Sequence, residues 1–255
     1  MSAQAPSIPY TAMNDSVLKR AAVMGAGVFS YGVGVAALVA WIAAMLGVLP
    51  FAGGPIGLTG VAAAAFNVAL MIGFGLQHSI MARAWFKERW TQLIPAALER
   101  SIFVLATGLV LGPMVLLWQP ISTTIWEVQN PMLSMALTGL ALVGWTYLFL
   151  STFAFSHFEL FGLRQVYQYF RGEEVTPVPF KERWMYRFDR HPIMTGALIG
   201  MWITPRMQLD HLLFAGLGTV YIVIGVYFEE RAMRRQWGST YDDYRARVRS
   251  IVPTF

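Results

Sequence analysis

No cysteine occurs anywhere in the 255 residues. Disulfides, thiolate metal sites and a cysteine nucleophile are therefore excluded, and any thiol chemistry must come from a substrate. Charge is scarce as well: 13% of residues are Asp, Glu, Lys or Arg, while 56% are hydrophobic and the mean hydropathy is +0.51. Soluble domains carry about 25% charged residues, so the chain falls outside their range. It holds no P-loop, no G-x-G-x-x-G and no internal repeat. The small residues from Gly25 to Gly34 recur at helical spacing, which suits close helix packing better than phosphate binding.

Long apolar runs fill the space that charge leaves. Ala21 to Leu49 is free of charge, long enough to span a bilayer with tilt and too long for a secretory signal core. Pro50 to Gly57 reads as a turn, and Leu58 to Leu76 as a second span that Gln77-His78-Ser79 ends. A third span is expected over Ser101 to Trp118 and a fourth over Met132 to Ser156. Two further runs, Ile193 to Thr204 and Leu212 to Phe228, flank Pro205 and read as a helical hairpin. The expected fold is all-α: a polytopic transmembrane bundle of five to six segments, the last two a hairpin, in one domain over 1–255 with a loose terminus over 1–16.

The position of charge orients this bundle. Of nineteen Lys and Arg, only Arg206, at the hairpin tip, lies on the far side if the N terminus is inside. The positive-inside rule then puts both termini in the cytoplasm and makes the lipid bilayer the main partner. Basic residues distributed in this way do not form a nucleic-acid patch. Leu160 to Phe170 mixes apolar residues with Arg164 and Gln165 and is expected to be an interfacial or re-entrant helix. Gly172 to Pro179 reads as a loop.

The hairpin also organises the polar residues. Pro192 lacks an N–H and suits the first turn of a helix, with Arg190 or His191 at the cap. Thirteen residues from Pro192 rise roughly 20 Å, short of a hydrocarbon layer of roughly 30 Å. A hairpin brings its first start beside its last end, so Arg190-His191 should face Glu229-Glu230. The helix start suits a carboxylate and the glutamates suit hydroxyls or an ammonium, which together fit a zwitterionic nucleoside. Each piece has a plainer reading. Arg-His-Pro is also a basic membrane anchor, and Glu230 with Arg234 is an ordinary i,i+4 pair.

Four histidines are present, and His211 falls at the hairpin tip. His78, His157 and His191 all fall at the basic ends of spans. A single such histidine is more often packed than functional, whereas three on one face suggest a site. Paired histidines can also ligate haem, which leaves the glutamate pair unexplained.

The order of Arg190-His191-Pro192, a hairpin, Glu229-Glu230, Gly238, Tyr241 and Tyr244 before Val252-Pro253 resembles the C-terminal signature of the isoprenylcysteine carboxyl methyltransferase family. Upstream, Gln77-His78-Ser79 with Met81-Ala82-Arg83, Trp90, Pro95 and Glu99-Arg100-Ser101 is similar to bacterial methanethiol S-methyltransferases, as is His157-Phe158-Glu159-Leu160-Phe161-Gly162-Leu163-Arg164-Gln165-Val166. The resemblance covers most of 77–250. It departs at Met194, where the wider family often has Tyr.

This resemblance implies an integral enzyme of the bacterial inner membrane. It would use S-adenosyl-L-methionine, release S-adenosyl-L-homocysteine, and methylate a small volatile thiol: methanethiol to dimethyl sulfide, with hydrogen sulfide as a further acceptor. The cofactor region is expected over 187–250, with Tyr186, Arg190, His191, Pro192, Gly196, Glu229, Glu230, Tyr241 and Tyr244 against the cofactor. Acceptor activation would fall to His157 or His78, with Glu159, Arg164 and Gln165 shaping the site and no metal involved. Prenylcysteine methyltransferases, sterol reductases and haem-binding accessory proteins of the NnrU type are the alternatives. The oligomeric state is left open.

Overall fold

The computed structural model describes residues 15–49, 51, 55–174 and 182–251. The expected loose terminus up to 14, half of the turn after Leu49, most of the 172–179 loop and Val252-Pro253 lie outside the described residues.

Among the described residues, five helices are long and apolar enough to cross a membrane. Helix α1 runs Val17–Met45, capped by Ser16, whose hydroxyl accepts from the Lys19 amide at 3.2 Å. Helix α2 runs Gly60–Met81, a short α3 runs Ala84–Trp90, and α4 runs Glu99–Leu117. Helix α5, Pro131–Phe155, starts with Pro at its first turn, and its cap Asn130 accepts from Leu133 N at 3.1 Å. After two short helices, α6 (His157–Leu160) and α7 (Leu163–Arg171), comes the short apolar α8, Pro192–Trp202. Helix α9, Leu209–Trp237, completes the spans, and α10, Ser239–Arg247, follows at Gly238. The chain is a polytopic helical membrane bundle.

Three of the differences from the sequence expectation have a plain physical reason. Helix α2 continues through Gln77-His78-Ser79 to Met81, because nothing there breaks a helix and its inner face has a cavity to meet. Helix α8 has 11 residues and ends at Trp202, two short of Thr204, since Pro205 disfavours helical geometry in the residue before it. The Leu160–Phe170 segment breaks into two at Gly162, whose φ of +84° suits glycine. Its added Cβ would lie 2.6 Å from the Ser101 hydroxyl.

Neighbouring helices form a ring. Helix α1 packs on α4, α4 on α2, α2 on α9, α9 on α8 and α8 on α5, while α1 touches α8 and closes the circle. Small residues allow the closest approaches. A Cβ on Gly196 would lie 2.5 Å from Leu148 N, and one on Gly200 would strike the Trp145 ring at 2.3 Å. Glycines four apart on α8 thus let it lie directly on α5.

The bundle has a basic end and a far end. At the far end the Asn67 side chain donates to Gln119 O at 2.9 Å and accepts from Gln119 N at 2.8 Å, satisfying a wholly buried amide. There also β1 (Thr124–Glu127) pairs antiparallel with β2 (Arg206–Gln208), a small sheet that the sequence reading did not anticipate. His211 caps this end, its Nε2 lying 2.7 Å from Met201 O.

Candidate active site

The start of α8 at the basic end is fixed from two sides. Pro192 holds the first helical position and His191 the cap. The cap is closed by Asp189, whose Oδ1 accepts from the His191 amide at 3.0 Å and whose Oδ2 accepts from the Tyr147 hydroxyl at 3.2 Å. Asp189 is fully buried, and burial pushes its carboxyl up to about 6, against the pull of these hydrogen bonds and of Arg190. The segment after α10 lies alongside. Arg190 N donates to Arg249 O at 2.9 Å, His191 N to Ser250 O at 3.0 Å, and Thr195 Oγ1 to Ile251 O.

Side chains from α8, α9 and α10 then converge on one carboxylate. Glu230 Oε1 lies 2.8 Å from Arg190 Nε and 2.9 Å from His191 Nε2, and its Oε2 lies 2.7 Å from Arg245 Nε. Glu229 reaches toward the other nitrogen of His191, Oε2 to Nδ1, at 3.7 Å. Arg190 also donates to the carbonyls of Arg245 and Val248. Burial lowers the pKa of His191 while Glu230 pulls it the other way. Beside this knot opens a recess of about 560 Å³, lined by Arg190, Tyr227, Glu230, Arg231, Arg234, Arg245 and Ser250.

The tyrosines stand behind the recess. Tyr241 and Tyr244 are each 2% exposed and pack with Met233 and Val248. Tyr244 donates to Tyr186 O at 2.6 Å, and burial raises the hydroxyl pKa of Tyr186, Tyr241 and Tyr244. Gly238, with φ of +52°, starts α10 and turns these rings back onto α9. Gly196 faces α5 and not the recess.

A second compartment lies inside the helix ring. A cavity of about 300 Å³ is walled by α1, α2, α4, α5, α8 and α9, and by Leu160 and Phe161 of the α6 turn. His78 and Tyr221 meet on its wall, Tyr221 Oη lying 2.8 Å from His78 Nδ1 and 3.3 Å from Ser79 Oγ. Arg100 enters the same wall from the first turn of α4, donating to Leu160 O at 2.6 Å and lying over the Phe103 ring. Ile193 and Met194 also belong to the wall. Within one turn of chain, Arg190 therefore lines the polar recess and Ile193 and Met194 line the apolar cavity.

The remaining expected residues form a brace next to this cavity and do not line it. His157 is held at both ring nitrogens, Nε2 3.0 Å from Tyr31 Oη and Nδ1 2.8 Å from Thr152 Oγ1, and it stacks on Phe153 at 4.2 Å. Burial lowers its pKa. Glu159 pairs with Arg164 at 2.5 Å, and Gln165 donates to Glu159 O at 3.1 Å. Thr152 connects the brace to the cavity, because it both binds His157 and lines the wall.

Sequence reasoning missed Asp189, Arg245, Arg100 and Tyr221 as site residues. Asp189 had a signal, being an acidic residue two before the His191 cap of a helix. Tyr221 had one too, as one of three hydroxyls, with Thr219 and Tyr227, in a largely apolar run. Among the described residues, no three His, Asp or Glu side chains group as a metal site would require.

No family model matches the chain, and no solved structure matches it significantly. Among curated proteins, methanethiol S-methyltransferase 1 of Bradyrhizobium diazoefficiens is 43% identical over 187 residues, 73% of this chain and 66% of the relative, just under two thirds of its length. The methanethiol S-methyltransferase of Mycobacterium tuberculosis is 42% identical over 187 residues, 73% of this chain and 77% of the relative. Nurim of Pan troglodytes is more distant, 29% identical over 211 residues, 74% of this chain and 79% of its own. With such identity over three quarters of its length and of the mycobacterial relative's, the chain belongs to the methanethiol S-methyltransferase family.

Proposed function

We propose that this chain is an S-adenosylmethionine-dependent thiol S-methyltransferase of the bacterial inner membrane, converting methanethiol to dimethyl sulfide, with hydrogen sulfide as a further acceptor. Both termini lie in the cytoplasm, and so does the basic end. The observation that carries the reading is that Arg190 lines a polar recess while Ile193 and Met194, three and four residues on, line an apolar cavity. A soluble cofactor and a lipid-soluble thiol would each find a matching solvent in one of these two compartments.

The recess fits S-adenosylmethionine by its donor set. Arg231, Arg234 and Arg245 match a carboxylate, while Glu230 and Tyr227 match an ammonium and ribose hydroxyls. Bound there, the cofactor would supply a methyl group on a sulfonium already activated for transfer. The chain's own task is alignment and proton removal. Thiolate, not thiol, is the nucleophile, and an apolar cavity disfavours thiolate unless a base or cation stands by. His78 meets this need: its Nδ1 lies 2.8 Å from Tyr221 Oη, and in the tautomer that donates Nδ1–H to this hydroxyl, Nε2 is the atom that would accept the thiol proton. Arg100 on the same wall stabilises the developing thiolate. Arg190 and His191, tied to Glu230, hold the start of α8 between the two compartments.

The test is headspace gas chromatography of purified protein given S-adenosylmethionine and methanethiol. Dimethyl sulfide formed in proportion to enzyme is expected. Cofactor binding without dimethyl sulfide would overturn the acceptor and direct attention to prenylated thiols.

A further inference from the structure

The internal cavity is much larger than methanethiol needs. At about 30 Å³ per heavy atom, the share of a water molecule in the liquid, methanethiol fills about 60 Å³. The cavity offers about 300 Å³. Along α4 its wall extends from Arg100 to Met114, fourteen residues or about 21 Å of helix rise. The titratable groups on this wall, His78, Arg100 and Tyr221, sit together at the basic end. Farther along, the wall is formed by Trp41, Met71, Met114, Met201 and Phe214. Such a site has one place for a reacting sulfur and a long apolar extension behind it.

We infer that the acceptor class is wider than methanethiol and comprises linear alkanethiols up to about eight carbons, with the sulfur at His78 and Arg100 and the alkyl chain running toward Met114 and Phe214. The inference rests on the methyltransferase reading above. In the reaction the S–H proton passes to His78 Nε2 and a new S–CH₃ bond forms on the alkanethiol. The bond between that methyl and the sulfonium breaks, with its electron pair remaining on the donor sulfur, so the products are an alkyl methyl sulfide and the demethylated cofactor. Added methylenes bind ground state and transition state alike, so they lower KM and leave kcat unchanged. The expected trend is roughly fourfold in KM per methylene, the equivalent of about 0.8 kcal/mol.

The experiment measures alkyl methyl sulfide formation from methane-, ethane-, butane-, hexane-, octane- and dodecanethiol by purified enzyme in lipid nanodiscs with S-adenosylmethionine. Long thiols also concentrate in lipid, so two cavity-filling variants, Leu111→Trp and Gly218→Val, separate the causes. A Cβ at Gly218 meets only the flexible Met201 thioether, Sδ at 3.3 Å. If the cavity is the site, the octanethiol-to-methanethiol ratio of kcat/KM falls at least tenfold in the variants. An unchanged ratio would overturn the inference, as would wild-type enzyme that methylates methanethiol but neither ethane- nor butanethiol. Failure with every thiol, methanethiol included, would instead overturn the small-thiol acceptor proposed above and this inference with it. Should both variants misfold, wild type decides: dodecanethiol reacts at least tenfold more slowly than octanethiol if the cavity sets the limit, and no more slowly if lipid partition does.

Discussion

Arg190 and Glu230 lie 2.8 Å apart, Nε to Oε1, although 40 residues separate them in the chain. Both are nearly buried, with side-chain exposures of 9% and 12%. The pair ties the start of α8 to the end of α9, and His191 and Arg245 share the same carboxylate. Such a knot is worth most when complete, because removing one member leaves the others buried and unpaired.

Glu230→Gln should therefore cost about 3 kcal/mol of stability, since it leaves buried cations without their carboxylate. It should also abolish S-adenosylmethionine binding, as should His191→Ala. Isothermal titration on variants shown to be folded checks this. Normal binding by either variant would place the cofactor elsewhere.

His78→Phe keeps ring packing with Phe74 and Phe103 and removes the base. Turnover of methanethiol should fall by about 10²–10⁴, the usual worth of general-base catalysis, with cofactor affinity unchanged. His157→Ala should act differently. It breaks hydrogen bonds to Tyr31 and Thr152, so its first effect is a lower Tm, with cofactor binding retained in the folded fraction. Equal kcat loss in both variants with no change in Tm for His157→Ala would reverse these roles.

Asp189 gives a pH dependence whose sign follows from its burial. Its folded carboxyl holds a proton up to about pH 6, above the ordinary value of 3.8, so the folded state binds that proton more tightly than the unfolded chain does. The contribution to stability is complete below about 3.8 and is lost as pH rises through about 6. Asp189→Asn keeps an acceptor for the His191 amide and should flatten Tm between pH 4 and 6.5. An identical Tm profile in wild type and variant would count against it.

Gly196→Ala separates packing from cofactor contact. The new Cβ would fall 2.5 Å from Leu148 N and 2.6 Å from Gly144 O, both backbone atoms that cannot step aside. Overpacking of this kind costs about 1–3 kcal/mol, so Tm should drop while the folded fraction binds cofactor as before. Weakened binding at unchanged Tm would make Gly196 a cofactor contact.

Much of the bundle was legible because its signals are local. Charge-free runs marked the spans, and Pro192 marked the start of α8. The hairpin argument brought Arg190-His191 to Glu229-Glu230 because a hairpin joins its ends whatever the side chains do. What escaped depends on contacts between distant segments. Gln77-His78-Ser79 reads as the end of a span until α9 supplies Tyr221 as a partner for His78. The pairing of β1 with β2 needs two short loops to meet, and neither carries a strong strand pattern alone. The cavity belongs to six helices at once, so no single stretch announces it.

The boundary that divides recess from cavity also divides the chain's freedom to vary. The recess around Glu230 and the cavity around Met114 have no lining residue in common, although α9 contributes to both. Substitutions deep in the ring can reshape what is methylated without disturbing what donates the methyl group. Descendants of one such ancestor can then diverge in acceptor while their donor side stays recognisable.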